Sequence, residues 1–402
     1  NIAYVVLNAP VDTQNPEWLN QQINRHQKDE VTNEGFFHAQ RKLIIRPNFV
    51  SLQNMIPHNF SEKLLYAATA AYSRLRRNGQ NNAENIKNIV AVKWDEIGDL
   101  CYALGVFDAL KSKYPGCKIL LICKPFALSL VAEHPSIDEV ATDFNKLPAQ
   151  IDLWLELRGT SESLFKAMRA HPRIFLDRAS VRLYNKKKGG HPHETITNLQ
   201  ILEPLTGKLN VEEFFPKLHP SSSSQSRVEN WLKEERIGKY VVFHPGARRV
   251  LRQWSPERFG EIGNYIFNRY GYQVVLIGDV SEQDLLAAIQ AQLPSASKVF
   301  PASMGLDGLS ALLARASFYL GNESGPLCMA AVSDIPCLGL FGPGEPKVFY
   351  PPGPKSRYIH HVLDCNPCDQ LQCKYPENSC MNRIQTQDVK ILIDELLNDT
   401  KK

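Results

Sequence analysis

From residue 88 onward the chain alternates short apolar runs with longer helix-patterned segments, and this order constrains the fold more than any other feature. Apolar runs of strand length separated by helical stretches build parallel sheets, because each strand must return through a crossover before pairing with the next. The runs read as strands lie at residues 89–94, 118–123, 152–157, 240–244, 273–277, 318–320 and 337–340, and helical patterns fall at 102–113, 256–269, 282–292 and 306–316. The pattern occurs in both halves, and 402 residues exceed what one hydrophobic core usually holds, so two α/β domains are expected.

The break between them is placed at residues 220–226, where Pro220 and Ser221 to Ser224 interrupt the pattern before a helix at 227–236. Those residues fit a flexible hinge or a plain surface loop equally well. The expected organisation is an accessory region at 1–87, a first domain at 88–222, a second at 223–385, and a last segment at 386–402 whose helix, 387–397, crosses back to the first domain. Within the accessory region the readable features are apolar runs at 3–7 and 42–45 and a helix at 61–77 capped by Ser61.

Composition mainly excludes. Apolar residues at 43% and charged residues at 22% rule out a largely disordered chain, and 46 basic against 42 acidic residues leave too small an excess for a nucleic-acid binder. The one dense basic run, Lys186 to Lys188, reads as a solvated loop or as a contact for an anionic acceptor or membrane surface. No run approaches the ~18 to 20 apolar residues of a membrane span, and Asn1 to Pro10 lacks a signal-peptide pattern, so the expectation is a cytoplasmic protein, with peripheral contact at the inner membrane as an extension of it.

Three motifs follow strands, where ligands of open α/β sheets bind. The first is Asp95-Glu96-Ile97-Gly98-Asp99 after the run at 89–94: Gly98 permits close backbone approach, and Asp99 fits either a base that accepts a proton or the cap of the following helix. The second runs from His244 through Pro245, Gly246, Ala247 and Arg248 to Arg252, Trp254 and Pro256, a turn with two guanidinium groups suited to a diphosphate. The third is Gly321-Asn322-Glu323-Ser324-Gly325-Pro326, a turn into a helix whose amides attract phosphate, followed by a second small-residue loop at Phe341-Gly342-Pro343-Gly344.

In this order, and with His193-Glu194-Thr195 ahead of Asn198-Leu199, the motifs resemble the heptosyltransferases of glycosyltransferase family 9, from about Asn88 to the end of the chain. The resemblance implies a GT-B fold, two Rossmann-like domains with parallel sheets facing a cleft, and inverting sugar transfer without a catalytic metal. It implies Asp99 as the base for the acceptor hydroxyl, Gly246, Ala247, Arg248 and Arg252 at the donor diphosphate, Glu282 at the ribose and Met304 against adenine. Glu323, Ser324, Gly325 and Pro326 would complete the donor contacts. The implied donor is a nucleotide sugar, ADP-linked, and the acceptor a glycan, lipid-linked saccharide or protein. Arg252, Glu323 and Cys328 stand where the family commonly has Lys, Asp and His, which opens the donor sugar to relatives of heptose. The alternatives are a nucleotide-sugar epimerase of the same fold and a non-catalytic relative that binds a partner.

Cys101, Cys117, Cys123, Cys328 and Cys337 lie singly in apolar stretches as small hydrophobes. Cys365, Cys368, Cys373 and Cys380 cluster in a segment with little core of its own, a pattern that suits structural zinc or iron, two disulfides or free thiols. In related transferases such a group forms an iron-binding finger. His360 and His361 just before it read as surface histidines.

Overall fold

A computed structural model describes residues 60–76 and 84–399. The apolar runs expected at 3–7 and 42–45 lie outside them, as does Arg77, while the accessory helix is present at Phe60–Arg76.

Two wholly parallel sheets carry the fold. The first has five strands, β1 (Asn88–Lys93), β2 (Lys118–Cys123), β3 (Glu139–Ala141), β4 (Leu153–Arg158) and β5 (Ile174–Asp177), in the order β3-β2-β1-β4-β5. The second has six, β6 (Tyr240–His244), β7 (Gln273–Leu276), β8 (Lys298–Val299), β9 (Tyr319–Asn322), β10 (Cys337–Phe341) and β11 (Ser356–His360), in the order β11-β10-β9-β6-β7-β8. The central strands are apolar on both faces, as parallel strands covered on each side must be. In β1, Ile89 and Ala91 enter one core while Val90 and Val92 enter another. The first of these cores also takes in Tyr240 and Val242 of β6, Val275 of β7 and the helix Gly325–Ala331, so one apolar body joins the two halves.

Several expectations change. The serine run is neither a flexible hinge nor a loop: it opens the helix Ser222–Glu234, with Ser221 as the N-cap accepting from the Ser224 amide at 3.1 Å and held by Asp307 at 2.5 Å. Serine is a strong N-cap, and that role outweighs its frequency in linkers. The last helix, Thr386–Asp399, does not return to the first sheet. Val389, Leu392, Ile393, Leu396 and Leu397 bury in the core of the second sheet, against the helix Pro256–Tyr270, because one apolar stripe can serve only one core. Lys186 and Lys187 end the helix Arg178–Lys187, where cations complement the helix dipole. No helix among the described residues is long and apolar enough to cross a membrane.

Candidate active site

At the carboxyl end of the first sheet the β1–β4 register shifts between Val92 and Lys93, so that Lys93 pairs with Arg158, and the Trp94 amide donates to the Arg158 carbonyl at 2.7 Å. The chain then turns into the short helix Ile97–Cys101, which has no side-chain cap. Asp99 in its first turn is therefore available for other partners. Its carboxylate accepts from Arg178 Nη2 at 3.3 Å, and Arg178 Nη1 reaches Asp95 at 3.4 Å. Arg178 also pairs with Glu194 at 2.5 Å, Arg182 holds the second Glu194 oxygen at 2.6 Å, and Lys93 holds Asp95 at 3.1 Å. The Lys93 and Glu194 side chains are wholly buried, which is tolerable only because every charge is matched.

This arrangement separates the carboxylates chemically. Burial pushes up on Asp95, but the Lys93 and Arg178 charges hold it well below the usual range. Burial opposes ionisation of Glu194 too, and Arg178 and Arg182 bring it down to about 2. Asp99 moves the other way: burial and then the adjacent Asp95 charge lift it to about 6. One acid of the three is thus poised to exchange a proton near neutral pH.

The second sheet contributes two groupings. In the first, Glu282 lies over Gly246, where an added Cβ would fall 1.8 Å from its Oε1, and pairs with His244 Nε2 at 3.5 Å. Glu282 also accepts from the Asp279 amide at 3.0 Å, while His244 Nδ1 meets Ser324 Oγ at 2.9 Å. In the second, Arg252 pairs with Glu323 at 3.2 Å and donates from Nε to Gln370 at 2.6 Å. Burial raises the Glu323 pKa against the pull of Arg252, and Glu323 Oε2 has no hydrogen-bond partner. Gly344 approaches the same carboxylate so closely that a Cβ there would lie 1.9 Å from Oε2. Fully buried Asn322 joins the loops, its amide donating to the Pro245 carbonyl at 2.6 Å and its Oδ1 accepting from the Trp254 amide at 3.2 Å.

Backbone proximity brings the two halves together. The helices Ile97–Cys101 and Gly325–Ala331 cross at Gly98 and Gly325: a Cβ on Gly98 would meet Cys328 Sγ at 2.8 Å, and one on Gly325 would meet Ile97 Cβ at 3.3 Å. Asp99 therefore shares a seam with the turn Ser324-Gly325-Pro326. Exposed Arg248 reaches across to Glu96 at 3.8 Å. Ala247 is buried, its carbonyl accepting from Gln253 at 3.0 Å. Met304 stands apart from these groupings, beyond β8 at the head of the helix Gly305–Leu313, its carbonyl taken by Arg227 at 3.2 Å.

A model of glycosyltransferase family 9 (heptosyltransferase) matches residues 150–378. The chain belongs to that family. Lipopolysaccharide heptosyltransferase 3 of Escherichia coli is 25% identical over 334 residues, covering 75% of this chain and 96% of the relative. Among solved structures, a glycosyltransferase of family 9 from Veillonella parvula superposes with a TM-score of 0.65 at 17% identity, covering 78% of this chain and 97% of the other. The E. coli ADP-heptose heptosyltransferase II superposes with a TM-score of 0.62 at 18% identity, covering 79% and 100%. The family 9 chain is accordingly a glycosyltransferase with a GT-B-like arrangement of two parallel sheets.

Of the three states open to the cysteine segment, the structure shows separate thiols. Cys365, Cys368, Cys373 and Cys380 are free thiols, and no three ligating side chains among the described residues are grouped to hold a metal ion. Cys380 is buried beside Gly342, and burial lifts its thiol to about 11. The segment braces two loops of the second sheet, through Asn366 on the Gly342 carbonyl at 2.8 Å and Gln370 on Arg252. His360 and His361 are buried rather than at the surface, His360 Nε2 lying 3.0 Å from the Gly342 carbonyl, because the last helix packs on β11.

The sequence reading missed Arg178, the hub of the acid group. It follows β5, Ile174–Asp177, a strand absent from the sequence reading, so its place at a strand-to-helix turn was not expected. Gln370 gave no signal; its placement follows from the fold of the cysteine segment.

Proposed function

We propose that this family 9 enzyme transfers heptose or a related sugar, with inversion, from an ADP-linked donor to a hydroxyl of a glycan, a lipid-linked saccharide or a protein. Asp99 accepts the acceptor's proton as its oxygen attacks the anomeric carbon, and the bond from that carbon to the diphosphate oxygen breaks on the opposite face. The charge that develops on the departing diphosphate is met by Arg252, Arg248 and the amides of the loops at Gly246, Ala247 and Ser324 to Pro326. Glu282 takes the ribose and Met304 the adenine. Glu323, one of whose oxygens has no hydrogen-bond partner among the described residues, accepts from a sugar hydroxyl.

The observation that carries the reading is the Asp99 carboxyl, lifted to about 6 and set on the seam with the donor-side turn at Gly325. A base with that pKa is largely ionised at neutral pH yet still a useful proton acceptor. The names of the relatives make a lipopolysaccharide core the first acceptor to try, at the inner face of the membrane where such acceptors are built.

The test is a calorimetric screen of ADP-, GDP- and UDP-sugars followed by turnover of wild type and Asp99→Ala. The expected outcome is donor binding within about tenfold of wild type and transfer reduced by about 10²- to 10⁴-fold. Undiminished transfer by the variant would remove Asp99 as the base. ADP released only when an acceptor is supplied separates a transferase from an epimerase or a binding subunit.

A further inference from the structure

The accessory helix Phe60–Arg76 lies against the first sheet beside the carboxyl end of β4. It packs on β5 and the helix Arg178–Lys187, with Tyr72 edge-on to Phe175 at 4.9 Å and Ser73 Oγ donating to the Phe175 carbonyl at 3.4 Å. Tyr66 is thereby set over the carboxyl end of β4, where with Arg158 and Arg178 it lines a cavity of about 30 Å³. That volume exceeds one water and admits a single small ligand group.

The groups around it are donors in want of an acceptor. Arg158 Nη1 donates to the Tyr66 hydroxyl oxygen at 2.7 Å, which leaves the Tyr66 proton free to be given to something else. Arg158 forms no salt bridge among the described residues. Arg178, its side chain only 3% exposed, has an Nε–H with no partner. Asp95, Asp99 and Glu194 pair with Lys93, Arg178 and Arg182, and the Asp95 and Asp99 charges act on Arg158 only from beyond salt-bridge distance. Glu156 also lines the cavity, but both its oxygens accept hydrogen bonds, from Trp154 Nε1 and Ser163 Oγ. Buried donors without an acceptor are satisfied by an oxyanion, and guanidinium groups suit carboxylate and phosphate geometry.

We propose that this cavity is an oxyanion subsite for the acceptor, in which Tyr66, Arg158 and Arg178 Nε hold a carboxylate or phosphoryl group and so present a neighbouring hydroxyl to Asp99. The proposal rests on the reading of Asp99 as the base, because Arg178 touches Asp99 with Nη2 and lines the cavity as well. It gives the accessory helix, which lies outside the segment matched to the family, a part in acceptor choice.

The test is a titration of the full chain, saturated with ADP, by inorganic phosphate and separately by D-glucuronate, with D-glucose as the uncharged control. At least one oxyanion is expected to bind and glucose at least tenfold more weakly; which oxyanion binds distinguishes a phosphorylated from a carboxylated acceptor. Arg158→Gln should weaken that binding by about tenfold or more, and Tyr66→Phe, which keeps the ring packing, by about threefold or more. Arg252→Ala on the donor side should leave it unchanged. The proposal is overturned if neither oxyanion binds, if both Arg158→Gln and Tyr66→Phe bind as wild type does, or if Arg252→Ala abolishes the signal. Its fate is separate from that of the transfer reading, since acceptor-dependent ADP release and the Asp99→Ala result are measured without these ligands.

Discussion

Asp95→Asn isolates the charge that sets the proton affinity of Asp99. The two carboxylates flank one guanidinium, Asp95 at 3.4 Å from Arg178 Nη1 and Asp99 at 3.3 Å from Nη2. That places the charges on the order of 6 Å apart, where at an effective dielectric constant of about 20 they repel by roughly 3 kcal/mol. Arg178 between them and water at the 20% exposed Asp99 side chain screen part of this, leaving about one pH unit. Losing Asp95 also costs Lys93 its carboxylate, so the buried Lys93, whose pKa burial already lowers, holds its proton less firmly; alone that would raise Asp99. Asp95 acts on Asp99 more strongly than Lys93 does, which fixes the sign. The Asp99 midpoint should therefore fall from about 6 toward about 5. Carbon-detected NMR of the Asp99 carboxyl reads it directly, and the acid limb of kcat/KM should move down with it, since activity requires the ionised base and is lost as pH falls through its pKa. A wild-type midpoint at the ordinary 3.8, or one that rises or stays put in the variant, refutes the reasoning.

Two further outcomes test the contacts between and behind the halves. Gly98→Ala sets a methyl 2.8 Å from Cys328 Sγ and should cost about 1 to 3 kcal/mol, read as a lower Tm and reduced kcat; Gly98→Ala with Cys328→Ala should recover most of the loss, because the sulfur is the atom struck. An unchanged Tm in the single variant would mean that the helices do not meet as described. Arg252→Ala should weaken ADP binding about tenfold by calorimetry, and Gln370→Ala, which removes only the acceptor that steadies Nε, about threefold; full affinity in Gln370→Ala would show that the cysteine segment does not position Arg252.

The strands that could be read from sequence are those buried on both faces. β1, β2, β6 and β10 are near-continuous apolar runs, and the ranges read for them match to within a residue or two. β3, β5, β8 and β11 escaped because they are short or mix charged residues into their runs, as in Glu139-Val140-Ala141 and Ser356 to His360, and only pairing with a neighbour makes them strands. Among the candidate site residues, Asp99, Gly246 and Gly325 could be singled out because each sits at a strand-to-helix turn within a recognisable run. Arg178 could not, since nothing in the letters Asp177-Arg178-Ala179 distinguishes a hub of three carboxylates from a surface arginine.

The sequence by itself determined the layered α/β construction, the two sheets and the glycine-bearing turns at the ends of their strands, because hydrophobic periodicity and turn chemistry are local properties. The tertiary structure decided which charges meet. Asp95, Asp99 and Glu194 converge on Arg178 across as many as a hundred residues of chain, and Gln370 reaches Arg252 from a segment whose cysteines suggested another role. It also decided where the last helix lies, since an apolar stripe specifies that a helix will be buried but not against which core. Electrostatic interactions depend on separation in space and on burial, neither of which one-dimensional order contains, and so the proton affinity of Asp99 became readable only once the chain was folded.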